Sequence, residues 1–417
     1  MNHPVKLIVG DDLRRTRASV FFRLLLAIPH FVWLFIWGIG VFFAVIANWV
    51  ITLFRATSPQ GLHDFLADYL RYAVHVGAYV NLIADPYPKF SGNDGYAIDV
   101  EIAPPARQNR WTVFFRSLLA IPATLIGSAL SGAYGEVHAG VRAGGGLLVT
   151  VAFLGWFAAL ARANMPRGLR DAGAYGLSYS AQLTAYFFLL TDRYPNSDPY
   201  AALEDLPTRD DPIALTVEDD LRRSRLTVFF RPLLAIPHLV WLLLWGIAAL
   251  LAVLANWVVT LFAGQSPDGL HRFLSAYLRY QTHVYAFLTL TANPFPGFVG
   301  AAGSYPVDLV VAPREPQNRW TVFFRLLLAI PALLISSAYG GLLYTVAVLA
   351  WFASLVRGTM PLGLRNAAAL ALRYSQQLNA YLYLVTPSYP YSGPIATTPV
   401  VTEPPPAFPP EPLTTPA

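Results

Sequence analysis

The chain has no cysteine, and only Lys6 and Lys89 are lysine. Disulfides, iron–sulfur ligation, thiolate zinc sites and thiol nucleophiles are therefore excluded. Charge is also scarce: 13% of the 417 residues are Asp, Glu, Lys or Arg, and 55% are hydrophobic. Soluble domains average about 25% charged residues, so a single soluble core of this length is not expected. So apolar a chain cannot stay solvated without folding, which excludes disorder for most of it. The net charge of +5 is carried almost wholly by arginine beside apolar runs. That pattern suits phosphate head groups better than a nucleic-acid groove, and no nucleic-acid partner is expected. The opening MNHPVKLIVGDDLRR lacks the basic, apolar and cleavage regions of a secretory signal. Insertion is expected to depend on the apolar stretch that begins near Ala18.

What is present is repetition. VFFR occurs at 20–23, 113–116, 228–231 and 322–325, each followed by Ala-Ile-Pro ending at Pro29, Pro122, Pro237 and Pro331. A Trp, a Pro-x-Gly-Leu or Pro-Arg-Gly-Leu turn and a closing Tyr-Pro or Phe-Pro follow in the same order each time. The first and third copies share DDLRR, IPH, Asn-Trp and LRY, and the second and fourth share QNRWTVFFR. One double unit of roughly 200 residues is therefore duplicated. The boundaries are repeat 1 at 1–92, repeat 2 at 93–200, a polar linker at 201–211, repeat 3 at 212–302 and repeat 4 at 303–395. Residues 396–417 are rich in Pro and Thr and read as a disordered tail.

Each repeat opens with β-branched residues at period two, in PVKLIVGDD, YAIDVEIAP, PIALTVEDD and YPVDLVVAP, which predicts four strands. An apolar run follows, from Arg17 to Phe54 in the first copy. As one helix at ~1.5 Å per residue it greatly exceeds a ~30 Å hydrocarbon core. The expectation is a hairpin, helix A about 17–36 and helix B about 41–55, turning at Gly38-Ile39-Gly40. The Gly-rich insertion 132–146 at the corresponding point of repeat 2 supports a loop there. Trp33 and Trp37 near the turn, with Trp111 and Trp320 at helix starts, would mark two interfacial belts. A third helix, C, begins at Gly61, with Asp64, Asp68, Arg71 and His75 on one face and apolar residues on the other. The fold class expected is a mainly α-helical integral membrane protein: four repeats of strand, short transmembrane hairpin and amphipathic helix, with a small cytoplasmic β component. Arginines flank every open hairpin end, among them Arg14, Arg15, Arg17, Arg55, Arg107, Arg110 and Arg162. The positive-inside rule then places about eight spans in the cell membrane with both termini cytoplasmic.

The order of strand, SRLTVFFRPLLAIPH (in repeat 3), apolar run, Pro-x-Gly-Leu, LRY and Tyr-Pro resembles a bacterial multi-pass membrane family known as domain of unknown function 4389, in four tandem copies over about 4–395. Repeats 2 and 4 depart from its pattern, lacking the His after Pro and the acidic pair. The resemblance implies a bacterial membrane protein and no reaction.

Three sets of residues are candidate sites. Arg23, Arg116, Arg231 and Arg325 lie inside the apolar run, where each is either an intramembrane charge gripping a lipid phosphate or a structural group paired with a carboxylate. His30 with Asn48, and His238 with Asn256, sit symmetrically about the expected turns, as hydrogen-bonded locks or as a polar, proton-carrying site. His75, Gln182, His283 and Gln377 share one helix C position, which suggests a retained hydrogen bond. Asp11-Asp12 and Asp219-Asp220 could do acid–base work or hold Mg²⁺, or could cap helix A and neutralise its arginines. No Walker loop, nucleophile elbow, HExxH or Rossmann glycine pattern occurs, so no enzyme, metal or cofactor is expected. Two functions remain: a structural or interaction module contacting anionic membrane lipids and other membrane proteins, or a transporter or channel for a small solute or ion.

Overall fold

The computed structural model describes residues 3–92, 95–132 and 145–396. Glu136, His138 and Arg142 of the insertion, and all but the first residue of the expected tail, lie outside the described residues. The four strands form where the alternation predicts them: β1 Val5–Val9, β2 Ile98–Ile102, β3 Ile213–Val217 and β4 Val307–Val311. β1 pairs antiparallel with β2, Val5 opposite Ile102, and β3 with β4, Ile213 opposite Val311. Each two-stranded sheet thus joins the two repeats of one double unit.

The hairpin is corrected. In repeat 1 a single helix, α1, runs from Arg17 to Arg55, straight through Gly38-Ile39-Gly40. At ~1.5 Å per residue it is about 58 Å long. These glycines serve packing rather than a turn. A Cβ on Gly38 would lie 3.4 Å from the Tyr69 hydroxyl, and one on Gly40 would lie 3.5 Å from the Phe65 ring. Both belong to α2, Gln60–Val80, which returns antiparallel along α1. Amid apolar side chains, helix is the conformation that keeps every backbone N–H and C=O paired, and a bend would forfeit several of those bonds.

Repeat 2 builds its long element in pieces: α3 Arg110–Phe114, α4 Arg116–Leu119, α5 Ile121–Ser131 and α6 Leu147–Arg162. The insertion leaves after α5 and returns at almost the same point. Gly132 is left-handed (φ 80°), and a Cβ there would meet Gly146 N at 2.7 Å. α7, Arg167–Phe187, packs on α5 and α6 in turn. Its Tyr179 hydroxyl donates to the Ala123 carbonyl (3.1 Å), while its Gly173 and Gly176 lie against Val151 and Leu148. On either side of the insertion α5 and α6 continue one rod along α7, so they do not form a hairpin.

The second double unit repeats the plan. α8 Arg225–Leu234 and α9 Ile236–Ala263 form the third rod, with α10 Asp268–Leu288 beside it. α11 Arg319–Phe323 and α12 Arg325–Arg357 form the fourth, backed by α13 Leu362–Leu382. The repeated Pro sits inside α1 and α12 but at the second residue of α5 and α9, just after a break.

The first and second rods run antiparallel, and so do the third and fourth. Arg15 N donates to the Ala163 carbonyl at one end of the first rod, and Gln108 N donates to the Ala56 carbonyl at the other. Trp156 and Trp49 tie the same pair, through Val20 O and Val113 O. Trp351 and Trp257 do so for the third and fourth rods, through Val228 O and Val322 O. α12 also packs on α5 and α6. The side-by-side order is therefore first, second, fourth, third. Two helix pairs back the rods, α2 with α7 and α10 with α13, and one sheet packs on each pair. The main core lies between the two central rods and α7 and α13, around buried Tyr175, Tyr179, Tyr339 and Tyr374.

Candidate membrane interface

Arg23, Arg116, Arg231 and Arg325 are each at most 3% exposed. In repeats 1, 2 and 3 the guanidinium caps the C-terminal end of the second-layer helix, where carbonyls lack intrahelical partners; in repeat 4 it bonds just past the end of α13 and stacks on Tyr381. Arg23 donates to the Tyr79 and Ala84 carbonyls (both 2.8 Å) and to Asp85 (2.5 Å), over the Tyr79 ring. Arg116 reaches the Tyr186 and Thr191 carbonyls, Gln108 and Asp192. Arg231 takes the Phe287 and Ala292 carbonyls and Asn293. Arg325 takes the Thr386 carbonyl and Gln317. The fork is occupied inside the protein, which favours the structural reading over a lipid phosphate. Sequence reading missed the acceptors. Where the chain leaves each of these helices a leucine takes positive φ (Leu82, Leu189, Leu290, Leu384), and the residue three further on is Asp85, Asp192, Asn293 or Pro387.

The His–Asn pairing is corrected too. On a continuous helix His30 and Asn48 are about 27 Å apart. His30 Nδ1 instead meets the Tyr72 hydroxyl at 2.6 Å, and His238 meets Tyr280 at 2.9 Å. Asn48 donates to the Phe188 carbonyl (2.9 Å), just past α7 of the next repeat, and accepts from Thr52 and Ser58. Asn256 does the same with Tyr383, Thr260 and Ser266. These asparagines latch one repeat to the next.

The shared helix C position holds a sheet in every repeat. His75 Nε2 bonds Asp99 (2.9 Å) and His283 bonds Asp308 (2.8 Å). Gln182 donates to the Val5 carbonyl and Gln377 to that of Ile213. Burial of Asp99 favours its neutral form. The bonds from His75, Gly95 N and Val100 N outweigh this and hold its carboxyl below the usual carboxylate range. Asp308 is depressed in the same way by His283 and the amides of Gly303 and Leu309. Asp11 and Asp219 each bind a buried arginine, Arg15 and Arg223, through both oxygens. They neutralise arginines, as one reading expected, but do not cap α1, whose N-cap is Thr16, its hydroxyl donating to Asp85 and making no capping bond.

The rods' outward side is bare and apolar. Phe35 (72% exposed), Phe54, Leu243, Phe262, Leu326 and Val356 lie along it, and such residues continue from Phe21 to Phe54 on α1. Contiguous exposed apolar patches beyond a few hundred Å² mark a partner or a membrane. Arg17–Arg55, Arg225–Ala263 and Arg325–Arg357 are long and apolar enough to cross a membrane by length and composition. The sequence model of the family described as "Domain of unknown function (DUF4389)" matches residues 17–92, 141–197, 225–299 and 319–392, over half of the chain. The chain belongs to that family. Each DUF4389 match in repeats 1 and 3 begins at the first helical residue of the rod and leaves the preceding strand outside. The match in repeat 2 begins only at 141 and leaves α3, α4 and α5 outside. No curated protein and no solved structure matches the chain.

Proposed function

We propose that this chain is a non-enzymatic membrane module: its four rods form an apolar face that seats in lipid, and arginines at the rod ends engage anionic head groups. The exposed apolar face carries this reading. The arginines that serve it are not the four buried ones. Arg17, Arg55, Arg110, Arg162, Arg319 and Arg357 are exposed at rod termini, beside that face. Basic residues at a membrane surface are worth about 1 kcal/mol each, which is roughly fivefold in partitioning. The four pseudo-equivalent repeats present one surface several times over, a form suited to organising lipids or other membrane proteins. The transporter or channel alternative lacks such support, because His30, Asn48, His238 and Asn256 are each bonded within the protein.

Flotation tests the proposal. Purified protein transferred from detergent should float with phosphatidylcholine vesicles, and more completely when phosphatidylglycerol is included. Changing Arg17, Arg55, Arg162 and Arg357 together to Gln should bring retention on the anionic vesicles down toward the zwitterionic level. Protein that stays dispersed and unbound once detergent is removed would defeat the membrane reading. Equal retention by the variant would defeat the head-group role.

A further inference from the structure

We propose that the four rods lie in the plane of the membrane, embedded in one leaflet with anionic head groups, and that the chain does not cross the bilayer. This rests on the membrane reading above and gives it a geometry.

Three observations point there. The first is the apolar length. On α1 the exposed apolar side chains run from Phe21 to Phe54, and on the third rod from Leu226 to Phe262. At ~1.5 Å per residue each stripe is about 50 Å, against a hydrocarbon core of ~30 Å. An upright rod would push lipid-facing Phe and Leu well into water at its ends.

The second is the polarity of the back at mid-length. Phe65 and Tyr69 of α2 pack at Gly40 and Gly38, the middle of α1. Asp64 and Asp68, one residue before each, keep more than half of their side-chain surface exposed. In repeat 3, Phe273 and Tyr277 pack on Trp245 at the middle of the rod, and Arg272 beside them is exposed. An upright molecule would hold Asp64, Asp68 and Arg272 at the depth of the acyl chains, where a charge costs several kcal/mol. Laid flat, the molecule turns all three toward water while the rods face lipid.

The third is the position of the arginines. Arg17 donates to the Ala161 carbonyl beside Arg162 at one end of the first two rods, and Arg110 donates to the Phe54 carbonyl beside Arg55 at the other. Arg225 and Arg357 meet in the same way through the Val356 carbonyl. Arginine thus sits at both ends of rods about 58 Å long. Upright, the rods would divide this charge between two compartments, against the positive-inside bias. In the plane, every arginine reaches the head groups of one leaflet, forming a basic rim around an apolar face.

The chain has no native cysteine, so labelling is unambiguous. Asp12 and Gln60 are exposed just outside the two ends of α1, and Asp68 is exposed at its middle. The double variant Asp12→Cys with Gln60→Cys, and the single variant Asp68→Cys, would be reconstituted in sealed phosphatidylcholine–phosphatidylglycerol vesicles recovered by flotation. They would then be treated with a sulfonated, membrane-impermeant maleimide and read by intact mass. The in-plane geometry predicts molecules carrying two labels or none, and Asp68→Cys labelled to the same fraction as either end. Molecules carrying one label each, with Asp68→Cys protected until detergent is added, would overturn it. Variants that fold like the wild type by circular dichroism and label fully in detergent but never float refute the membrane reading itself, an outcome separate from either geometry.

Discussion

Replacing Arg23 by Leu should destabilise the protein by about 3–5 kcal/mol, the cost of removing one partner from a buried, hydrogen-bonded charge pair. The Tyr79 and Ala84 carbonyls would lose their donor, and Asp85 would lose its counter-charge. Arg23→Lys should recover only part of the loss. A single ammonium cannot reproduce the planar fork that spans two carbonyls and a carboxylate while stacking on the Tyr79 ring. Thermal unfolding in detergent, followed by circular dichroism, would compare the three proteins. Equal stability of Arg23→Leu and wild type would show that the guanidinium does not hold the end of α2. Arg116, Arg231 and Arg325 occupy the same place in their repeats, and the same ordering of Arg, Lys and Leu is expected at each.

Asn256→Leu should cost about 2–4 kcal/mol, because the Tyr383 carbonyl loses its donor and the buried Thr260 and Ser266 hydroxyls lose their acceptor, at roughly 1–3 kcal/mol for a buried group left unpaired. Asn256 is fully buried, donates to the Tyr383 carbonyl and accepts from Ser266 at 2.7 Å. The effect should appear in two repeats at once. Hydrogen exchange should accelerate at the C-terminal end of α13 in repeat 4 as well as at the turn that follows α9 in repeat 3. Exchange confined to repeat 3 would contradict the latch.

The sequence made several parts of this structure legible. Period-two alternation in VKLIV and IALTV marked the strands, since half-buried strands must alternate. The shared position of His75, Gln182, His283 and Gln377 suggests a retained hydrogen bond, and the sequence does not say that its partners are the strands. The apolar face was legible as composition. Its shape was not, because the reading assumed that an apolar run must cross a ~30 Å core and then folded α1 to fit. Gly38 and Gly40 looked like a turn, yet their role depends on Phe65 and Tyr69, 25 or more residues away in the chain. The insertion at 132–146 suggests a hairpin turn, but a point that admits an insertion need not be a turn, and α5 and α6 on either side of it continue one rod. His30 and Asn48 were paired on the strength of that turn. Once the helix is continuous, their partners are Tyr72 and Phe188, which no local pattern indicates. The four arginines stand out in the sequence because each lies inside an apolar run. Which acceptors they meet depends on how the chain leaves each second-layer helix, at Leu82 and its equivalents, and tertiary packing sets that.

Polarised infrared spectroscopy of the protein in aligned bilayers tests the central claim most directly, because the amide I transition of a helix lies close to its axis. Four rods resting in one leaflet predict dichroism dominated by helix axes parallel to the membrane plane. Dichroism dominated by axes along the membrane normal would contradict the account.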